Sequence, residues 1–407
     1  MLSCDEAVRT ILETVRPLPP VECALDEALG RVMAAPAAAR WDLPPADNSA
    51  MDGYAFAFAG QTVGDELPVH GFIPAGAWRD SPVAPGQAVK IMTGAPLPVG
   101  CDTVVPVEDT SESATGIRLE RQPKGGQHVR RRGEELHLGE ELLCAGTPLF
   151  SGEIALLAAA GVDRARVYPA PRVAVLSTGD ELVELGQLPG PGQIVNSNFH
   201  LLATRLREAG CTVVPLGIAR DERQDLAEKI GRGLREADLL LSTGGVSVGD
   251  RDYVQEILRE RGFALGFWQV AIKPGKPVLF GTVGATPVFG LPGNPAAAAA
   301  TFEMFVRPAL RRLAGFVDPL HPRLRVILAG AISGGEKRQR LIWGTLEERD
   351  ERYYFLPAGR QGSGQNRSIQ GAQALLPVPG GSSGIAAGAE MDVLLLRLPP
   401  GLSPPAR

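Results

Sequence analysis

Three apolar runs with strand character end abruptly in loops rich in Gly, Ser, Thr and acidic residues. They occupy residues 173–176, 239–241 and 288–291, and the loops follow at 177–181, 242–250 and 292–295. Helical patterns at 199–208, 223–236 and 253–261 lie among these runs, which predicts parallel strands joined by crossovers. Open α/β sheets bind ligands at the carboxyl ends of their strands, and small residues there let a ligand approach the backbone. The pattern therefore predicts a site for a phosphorylated organic ligand.

Composition narrows the class of protein. A chain of 407 residues with 44% hydrophobic and 21% charged residues predicts two to four globular domains. The net charge of −5 gives no basic footprint for nucleic acid. No apolar stretch reaches the ~20 residues of a membrane helix, and the first residues lack the pattern of a signal peptide. Five scattered Cys without a C-x-x-C pair indicate a reducing cytoplasm, with neither a disulfide framework nor structural zinc.

The pattern changes several times along the chain. A capping box at Ser3 and Glu6 predicts a first helix, and a second short helix is expected at 25–29. Short strands and turns over 41–132 predict a small β domain, followed by a helix at 151–160. Residues 172–315 form the predicted α/β region, and 323–398 predict a small β barrel or sandwich. The Pro-rich tail at 401–407 is expected to be mobile.

Several polar segments have both a structural and a functional interpretation. Residues 47–54 hold two carboxylates and form either a solvated turn or part of a Mg²⁺ site. Thr93 caps a turn or binds phosphate. Arg130 begins a basic triplet that is either a surface ion-pair patch or an oxyanion site. Lys273 and Lys276 lie on a Pro-Gly turn that is either a solvated hairpin or a site for phosphate or an oxyanion.

Further candidates lie in the strand-end loops and near the C-terminus. Glu181 belongs to a carboxylate pair that either caps a helix or serves a site, and Ser363 lies in a Gly-Ser-Gly loop. The stronger loop candidates are Gly244, Gly245, Ser247, Asp250 and Asp252. The P-loop, the nucleophile elbow and the paired-His zinc motif are absent, which argues against those enzyme classes.

Taken together, these segments resemble the molybdopterin molybdenumtransferases, the MoeA and gephyrin E-domain group. The resemblance runs from Ser3 to about Leu396 with the motifs in family order. The matching segments are residues 27–32, 47–54, 91–96, 177–182, 242–250, 273–277, 291–295 and 361–363. It implies a cytoplasmic enzyme that inserts molybdate into adenylylated molybdopterin with release of AMP, in a Mg²⁺-dependent step.

The resemblance also implies the fold, a multidomain α/β plus β architecture. Its parts are an elongated discontinuous N-terminal domain (1–45 and 137–168), an inserted β domain (46–136), a three-layer α/β molybdopterin-binding domain with a parallel-rich sheet (169–316) and a C-terminal β barrel (317–400). Family members are homodimers whose active cleft lies between the α/β domain of one subunit and the inserted domain of the other. Transient contact with a molybdopterin adenylyltransferase and with molybdoenzyme chaperones is expected, but not with nucleic acid or membrane.

Site roles carry over by position. The implied catalytic residues are Asp52, Thr93, Glu181 and Asp252, of which the three carboxylates would hold Mg²⁺ or position a water. The implied substrate-binding residues are Arg130, Gly244, Gly245, Ser247, Asp250, Lys273, Lys276, Pro292, Pro295 and Ser363.

Three positions depart from the family pattern. Glu135 stands where the family usually has Asp, Gln269 where it often has a basic residue, and Trp343 where Arg is common. The loss of two cations predicts weak molybdate binding, unless nearby Arg338 and Arg340 replace the cation missing at Trp343.

Two other functions remain open at this point. One is a nucleotide pyrophosphatase of the competence-damage-inducible type on the same α/β domain, against which the segment at 47–54 and the C-terminal β region argue. The other is a non-catalytic molybdopterin-binding scaffold.

Overall fold

The computed structural model describes residues 1–244 and 253–398. The chain divides into two compact units, one of residues 22–29 and 33–167, and the other of residues 1–21, 30–32 and 168–407. The helices of the described residues are α1 (Cys4–Thr14), α2 (Ser151–Ala159), α3 (Ser197–Glu208), α4 (Arg223–Glu236), α5 (Tyr253–Glu260), α6 (Pro295–Thr301) and α7 (Arg307–Leu313).

The strands lie in both units. Those before residue 168 are β1 (Val21–Ala24), β2 (Ala37–Ala38), β3 (Asn48–Ser49), β4 (Gly53–Phe56), β5 (Glu66–Ile73), β6 (Ala88–Ile91), β7 (Thr103–Pro106), β8 (Thr110–Glu112), β9 (Gly116–Leu119), β10 (Val129–Arg130), β11 (Glu141–Leu143) and β12 (Arg164–Val167). The later ones are β13 (Arg172–Thr178), β14 (Leu182–Val183), β15 (Ile194–Val195), β16 (Thr212–Ala219), β17 (Leu239–Thr243), β18 (Phe263–Trp268), β19 (Ile272–Lys273), β20 (Leu279–Val283), β21 (Thr286–Leu291), β22 (Arg323–Leu328), β23 (Ile332–Ser333), β24 (Gln339–Arg349), β25 (Arg352–Pro357), β26 (Ala374–Val378), β27 (Gly384–Ile385) and β28 (Glu390–Leu395).

Local signals at the N-terminus are only partly reproduced. The capping box is present, since the Ser3 hydroxyl accepts from the Glu6 backbone and the Glu6 carboxylate accepts from Ser3 N at 2.8 Å. Ile11 on α1 is fully buried in the core shared with the α/β sheet. The short helix expected at 25–29 is instead a single 3-10 turn, Leu25–Glu27, after a strand. That segment is too short to nucleate an α-helix of its own.

The smaller unit contains the β region that the sequence predicts. Its sheet has the strand order β7-β4-β6-β5-β9-β8. Strand β4 alternates its side chains, with Ala55 facing one apolar cluster and Phe56 facing another. Gly53 at its start has no room for a side chain, because a Cβ there would lie 1.9 Å from the carbonyl oxygen of Val105. The backbone of β4 therefore lies directly against that of β7 at Gly53, where the polar segment 47–54 ends.

The larger unit is built on a sheet of order β16-β13-β17-β21-β20-β18. The first four strands are parallel, as their alternation with helices predicts, and β20 pairs antiparallel with both β21 and β18. Along β13, Val173 and Val175 face the cluster with α1, α3 and α7, whereas Ala174 and Leu176 face α4 and α5. This burial on both faces is why the strands read as continuous apolar runs.

The C-terminal strands form a closed five-stranded barrel. Strands β24, β25, β22, β28 and β26 follow one another, and the pairing of β24 with β26 closes the ring. The predicted fold class, with a parallel-rich α/β sheet and a C-terminal barrel, is confirmed, whereas the proposed domain boundaries stay a prediction. Within the described residues, no helix has the length and apolar character needed to cross a membrane. The expected mobile tail at 401–407 lies outside the described residues.

Candidate functional site

Three parallel strands end side by side, and their ends are joined by hydrogen bonds. The Thr178 hydroxyl donates to the carbonyl of Thr243 at 3.2 Å, and Gly244 N donates to the carbonyl of Leu291 at 3.2 Å. Gly244 has a φ of +81°, and a Cβ there would lie 2.6 Å from the carbonyl oxygen of Thr178. Only glycine fits this junction, because any side chain at residue 244 would collide with the end of β13.

A cavity of about 440 Å³ opens over these strand ends and is called the strand-end cavity. Three predicted site residues line it, Glu181, Gly244 and Pro295. Further lining residues are Thr178, Asn196, Asn198, Thr243, Gly293, Asn294 and Asn366. The cavity is thus rich in amide and hydroxyl groups, as hydrogen bonding to a polar heterocycle would require.

One amide in the strand-end cavity has a hydrogen-bond acceptor without a partner. Asn198 donates through Nδ2 to the carbonyl of Gly293 at 2.7 Å, while its buried Oδ1 has no hydrogen-bond partner among the described residues. An orphaned buried acceptor is destabilising until a donor reaches it. A ligand N–H or a water would satisfy it.

A second cavity of about 670 Å³ lies beside the first and is called the anion cavity. Lys273, Lys276, Pro292 and Ser363, all predicted from the sequence, line it. Asn294 lines both cavities, and its Nδ2 donates to the Ser363 hydroxyl at 3.3 Å. The two cavities therefore meet at the loop that follows β21.

The anion cavity carries a strong excess of positive charge. Four cations line it, Lys273, Lys276, Arg338 and Arg340, against one carboxylate, Glu336. Lys273 Nζ donates to Glu336 at 2.6 Å, and this ion pair holds the pKa of Glu336 below its usual value, so the group stays ionised at neutral pH. Lys276 makes no ion pair with any described residue. Such an arrangement suits a compact oxyanion held by charge-assisted hydrogen bonds.

Segments distant in sequence converge on this cavity through backbone pairing. β19 runs parallel to β24, with Lys273 opposite Arg340, and the carbonyl of Ser363 accepts from Ala296 N at 3.0 Å. Arg338 and Arg340 are two residues apart beside and along a strand, so they project to the same side of it. The cavity thus exists only where the α/β region and the barrel meet within the larger unit.

The smaller unit carries its own cluster of predicted residues. Asp52 Oδ1 accepts from both the backbone N and the hydroxyl of Thr93, each at 2.7 Å. These hydrogen bonds, the backbone one first, hold the pKa of Asp52 below its usual value. Asp52 is exposed and stays a carboxylate at neutral pH, which suits a role in binding a cation or positioning water rather than donating a proton.

Arg130 belongs to the same cluster through the backbone. It pairs with Asn48 across the β10–β3 ladder, and Gly94 N donates to the carbonyl of Ser49 at 2.7 Å. The neighbouring Arg131 and Arg132 are ion-paired with Asp47 and Asp42, whereas Arg130 makes no ion pair within the described residues. The triplet is therefore partly a surface ion-pair patch, and Arg130 is the member available to an anion.

The structure thus gathers the described candidate residues into two groups, one in each unit. Four candidates, Gly245, Ser247, Asp250 and Asp252, lie outside the described residues. Sequence reasoning missed Asn198 and Asn294 as site residues, although Asn294 lies in the loop noted at 292–295, and it named Arg338 and Arg340 only as replacements for the cation missing at Trp343. Their spacing of two residues, which places Arg338 and Arg340 on the same side of a strand, is a sequence pattern that could have predicted this pair.

The three departures from the family pattern fall in different places. Trp343 is 1% exposed in the core, and Arg338 and Arg340 supply cations to the anion cavity nearby. Gln269 lines neither cavity and has a φ of +76°, and Glu135 is exposed. The expectation of weak molybdate binding stays a prediction, although neither Trp343 nor Gln269 lines the anion cavity.

A resident metal cage is not found among residues 1–244 and 253–398, where no three His, Cys, Asp or Glu side chains form a possible metal site. The donor chemistry still fits Mg²⁺, which is usually bound by one or two carboxylates together with substrate phosphates. Asp52 and Glu181 are exposed carboxylates of this kind.

Comparison with known proteins agrees with this geometry. Residues 2–161 match the MoeA N-terminal region (domain I and II), residues 174–312 the probable molybdopterin binding domain and residues 325–396 the MoeA C-terminal region (domain IV). A molybdopterin molybdenumtransferase of Nostoc sp. is 40% identical over 91% of this chain and 87% of the relative. Molybdopterin molybdenumtransferase 2 of Mycobacterium tuberculosis is 34% identical over 97% and 99%. A molybdopterin biosynthesis MoeA protein from Pyrococcus horikoshii has a similar structure, with a TM-score of 0.82 and 28% identity over 97% of this chain and 99% of that one.

Proposed function

Because this chain belongs to the molybdopterin molybdenumtransferase family, we propose that it inserts molybdate into adenylylated molybdopterin and releases AMP. The observation that carries this proposal is the pair of adjoining cavities that meet at Asn294. One is lined by amides and hydroxyls over the strand ends, and the other by four cations and one carboxylate. A polar pterin and a molybdate ion need these two environments side by side.

Different residues of the chain bind the two substrates. Lys276, Arg338 and Arg340 bind molybdate by charge-assisted hydrogen bonds, and Lys273 joins them when it leaves Glu336. Gly244 leaves room at the strand ends for the pterin and its phosphate. Held next to each other, the dithiolene and the oxyanion react at high effective concentration.

The hydrolytic part of the reaction breaks the bond between the molybdopterin phosphate and the adenylate. Asp52, kept ionised by Thr93, and Glu181 supply the carboxylates for this step. Mg²⁺, when bound with the substrate phosphates, would neutralise charge on them. Asp252 joins this set on the resemblance alone.

Asp52 and Glu181 belong to different units of the chain. On the family pattern we propose a homodimer in which the smaller unit of one subunit completes the cleft of the other. A cytoplasmic location, and transient contacts with a molybdopterin adenylyltransferase and with molybdoenzyme chaperones, are part of the same proposal.

The test is AMP release by the purified protein from adenylylated molybdopterin, with molybdate and Mg²⁺ added separately and together. Release that requires molybdate and yields a molybdenum-loaded pterin supports the proposal. Cleavage that is indifferent to molybdate, or cleavage of pyridine nucleotides instead, refutes it. A nucleotide pyrophosphatase is not favoured, because the family match extends over the N-terminal and C-terminal regions as well as the α/β domain.

A further inference from the structure

A third cavity, of about 510 Å³, lies between α3, the segment leading into α7 and the end of β28, and shares no lining residue with the two cavities of the candidate site. Three arginines line it, Arg205, Arg307 and Arg397, together with the carboxylates of Glu208 and Glu303. The cavity and its three arginines are called the arginine cleft. Its remaining lining is Leu201, Thr204, Ile369, Gly371, Ala372 and Leu396.

The buried carboxylate of the arginine cleft is already fully engaged. Glu303 is 2% exposed; its Oε1 is ion-paired with Arg205 and its Oε2 lies 2.8 Å from Nε2 of His321. It is carried on a π-helical turn, Phe302–Val306, and such turns occur frequently at functional sites. Glu303 therefore pairs with Arg205 and His321, and it forms no ion pair with Arg307 or Arg397.

Those two arginines form no direct ion pair in the described part of the chain, although the charge of Glu208 lies near enough to raise the pKa of Arg307 against the larger effect of burial. The side chains of Arg307 and Arg397 make no hydrogen bond or ion pair with any described residue. Arg205 has in addition a buried Nε without a partner. Burial lowers the pKa of Arg205 to about 10 and also lowers the pKa of Arg307. An anion in the cleft would offset this desolvation and satisfy the free donors.

The other residues that line the cleft indicate the chemistry of the part of the ligand that is not the anion. Leu201, Ile369 and Leu396 offer apolar surface, and the Thr204 hydroxyl is exposed. Two unpaired guanidinium groups match a phosphate, which accepts several N–H donors and carries up to two charges. A cavity of this volume is larger than one phosphate ion requires.

We propose that the arginine cleft is a binding site for a small organic phosphate, with the phosphate held by Arg307 and Arg397 and the organic part against Leu201 and Ile369. Helix α3 reaches both sites, and α6 is joined to α7 by the π-helical turn Phe302–Val306. Asn198 on α3 and Pro295 on α6 line the strand-end cavity, while Arg205 on α3 and Arg307 on α7 line the arginine cleft. An occupant of the cleft therefore contacts elements that also shape the candidate active site.

The test is isothermal titration calorimetry, which measures the dissociation constant of the intact protein for phenyl phosphate and, separately, for inorganic phosphate. We expect phenyl phosphate to bind more tightly, because only it uses the apolar wall. Arg307→Gln and Arg397→Gln should each weaken binding by about tenfold, the effect of losing a charge-assisted hydrogen bond. Glu208→Gln should strengthen it severalfold, since it removes the remaining free carboxylate of the cleft. A purely structural role of these residues would not produce that opposite sign.

The comparison variant is Lys276→Gln, which removes a cation from the anion cavity; it should lower only the phosphate binding that this cavity contributes and leave the part that depends on Arg307 and Arg397. Because Arg397 is exposed, its variant tests the site even if Arg307→Gln folds poorly by circular dichroism. The proposal is overturned if neither probe binds at millimolar concentration, if the Arg397 variant binds as the wild type does, or if Lys276→Gln alone abolishes binding. It is also overturned if the arginine variants change the subunit mass by light scattering without changing phosphate affinity, because the cleft would then be a subunit contact.

Discussion

The single carboxylate of the anion cavity gives the sharpest prediction. Glu336 is bound to Lys273 at 2.6 Å and lies 3.5 Å from Arg338, so in the proposed reaction it competes with molybdate for these cations. Replacing it with Gln keeps the size of the side chain and removes its charge. We therefore expect Glu336→Gln to lower the molybdate concentration that gives half-maximal AMP release.

The magnitude follows from exposure. The side chains of Lys273 and Glu336 are 56% and 22% exposed, so solvent screens the pair strongly. Screened pairs of this kind are weak, and releasing Lys273 corresponds to a gain in molybdate affinity of about twofold to fivefold. The gain should shrink as salt is added, because screening increases with ionic strength.

The assay is AMP release at several molybdate concentrations, with direct titration of molybdate as a second measurement. The matched control is Glu347→Gln, which removes a carboxylate that is paired with Arg349 at 2.7 Å on the same barrel and lines neither cavity. A half-saturating concentration that rises or stays constant in Glu336→Gln would refute the reasoning. An equal shift in Glu347→Gln would show a general charge effect instead.

Four further outcomes are expected. Asp52→Asn keeps the Thr93 contact and the melting temperature but lowers turnover by at least about tenfold, because the carboxylate charge is lost; wild-type turnover would reduce Asp52 to a turn former. Equal mixtures of Asp52→Ala and Lys276→Ala subunits should regain activity if clefts are shared, whereas a fully active monomer by light scattering would contradict this. Gly244→Ala should lower the free energy of unfolding by about 1–3 kcal/mol in urea titration, since its φ is +81° and its Cβ would meet Thr178; unchanged stability would count against that geometry. Chelation of Mg²⁺ should abolish AMP release and leave the unfolding midpoint unchanged, and activity that survives chelation would exclude the ion from the reaction.

Strand ends were the part of the site most readable from sequence. Runs such as residues 239–241 are buried on both faces, so they read as continuous apolar segments, and Gly244 marks the exit from the sheet. By contrast, Arg338 and Arg340 reach the anion cavity only because β24 pairs with β19, a contact between segments more than sixty residues apart. No local pattern specifies that register.

Trp343 is a second residue whose position could not be predicted from the local sequence. Its position suggested a missing cation, but alternation along β24 places it in the core, with the guanidinium of Arg205 5.6 Å from its ring centre. A match to a family position gives only the place of a residue in the sequence. The face of the strand on which the residue lies decides whether its side chain enters the core or the cavity. The hydrogen-bonded pair of Asp52 and Thr93 likewise required the fold, because forty-one residues separate the two side chains.

The β19–β24 pairing also constrains how a substrate can enter. Gln339 N donates to the carbonyl of Ala271 at 3.0 Å, and Ala296 N donates to the carbonyl of Ser363 at 3.0 Å, so main-chain bonds fasten the barrel to the α/β region on both sides of the anion cavity. A hinge that swung these two parts open would have to break such bonds in every turnover. The anion cavity therefore keeps its shape through a turnover, and in the proposed reaction molybdate binds to a preformed site.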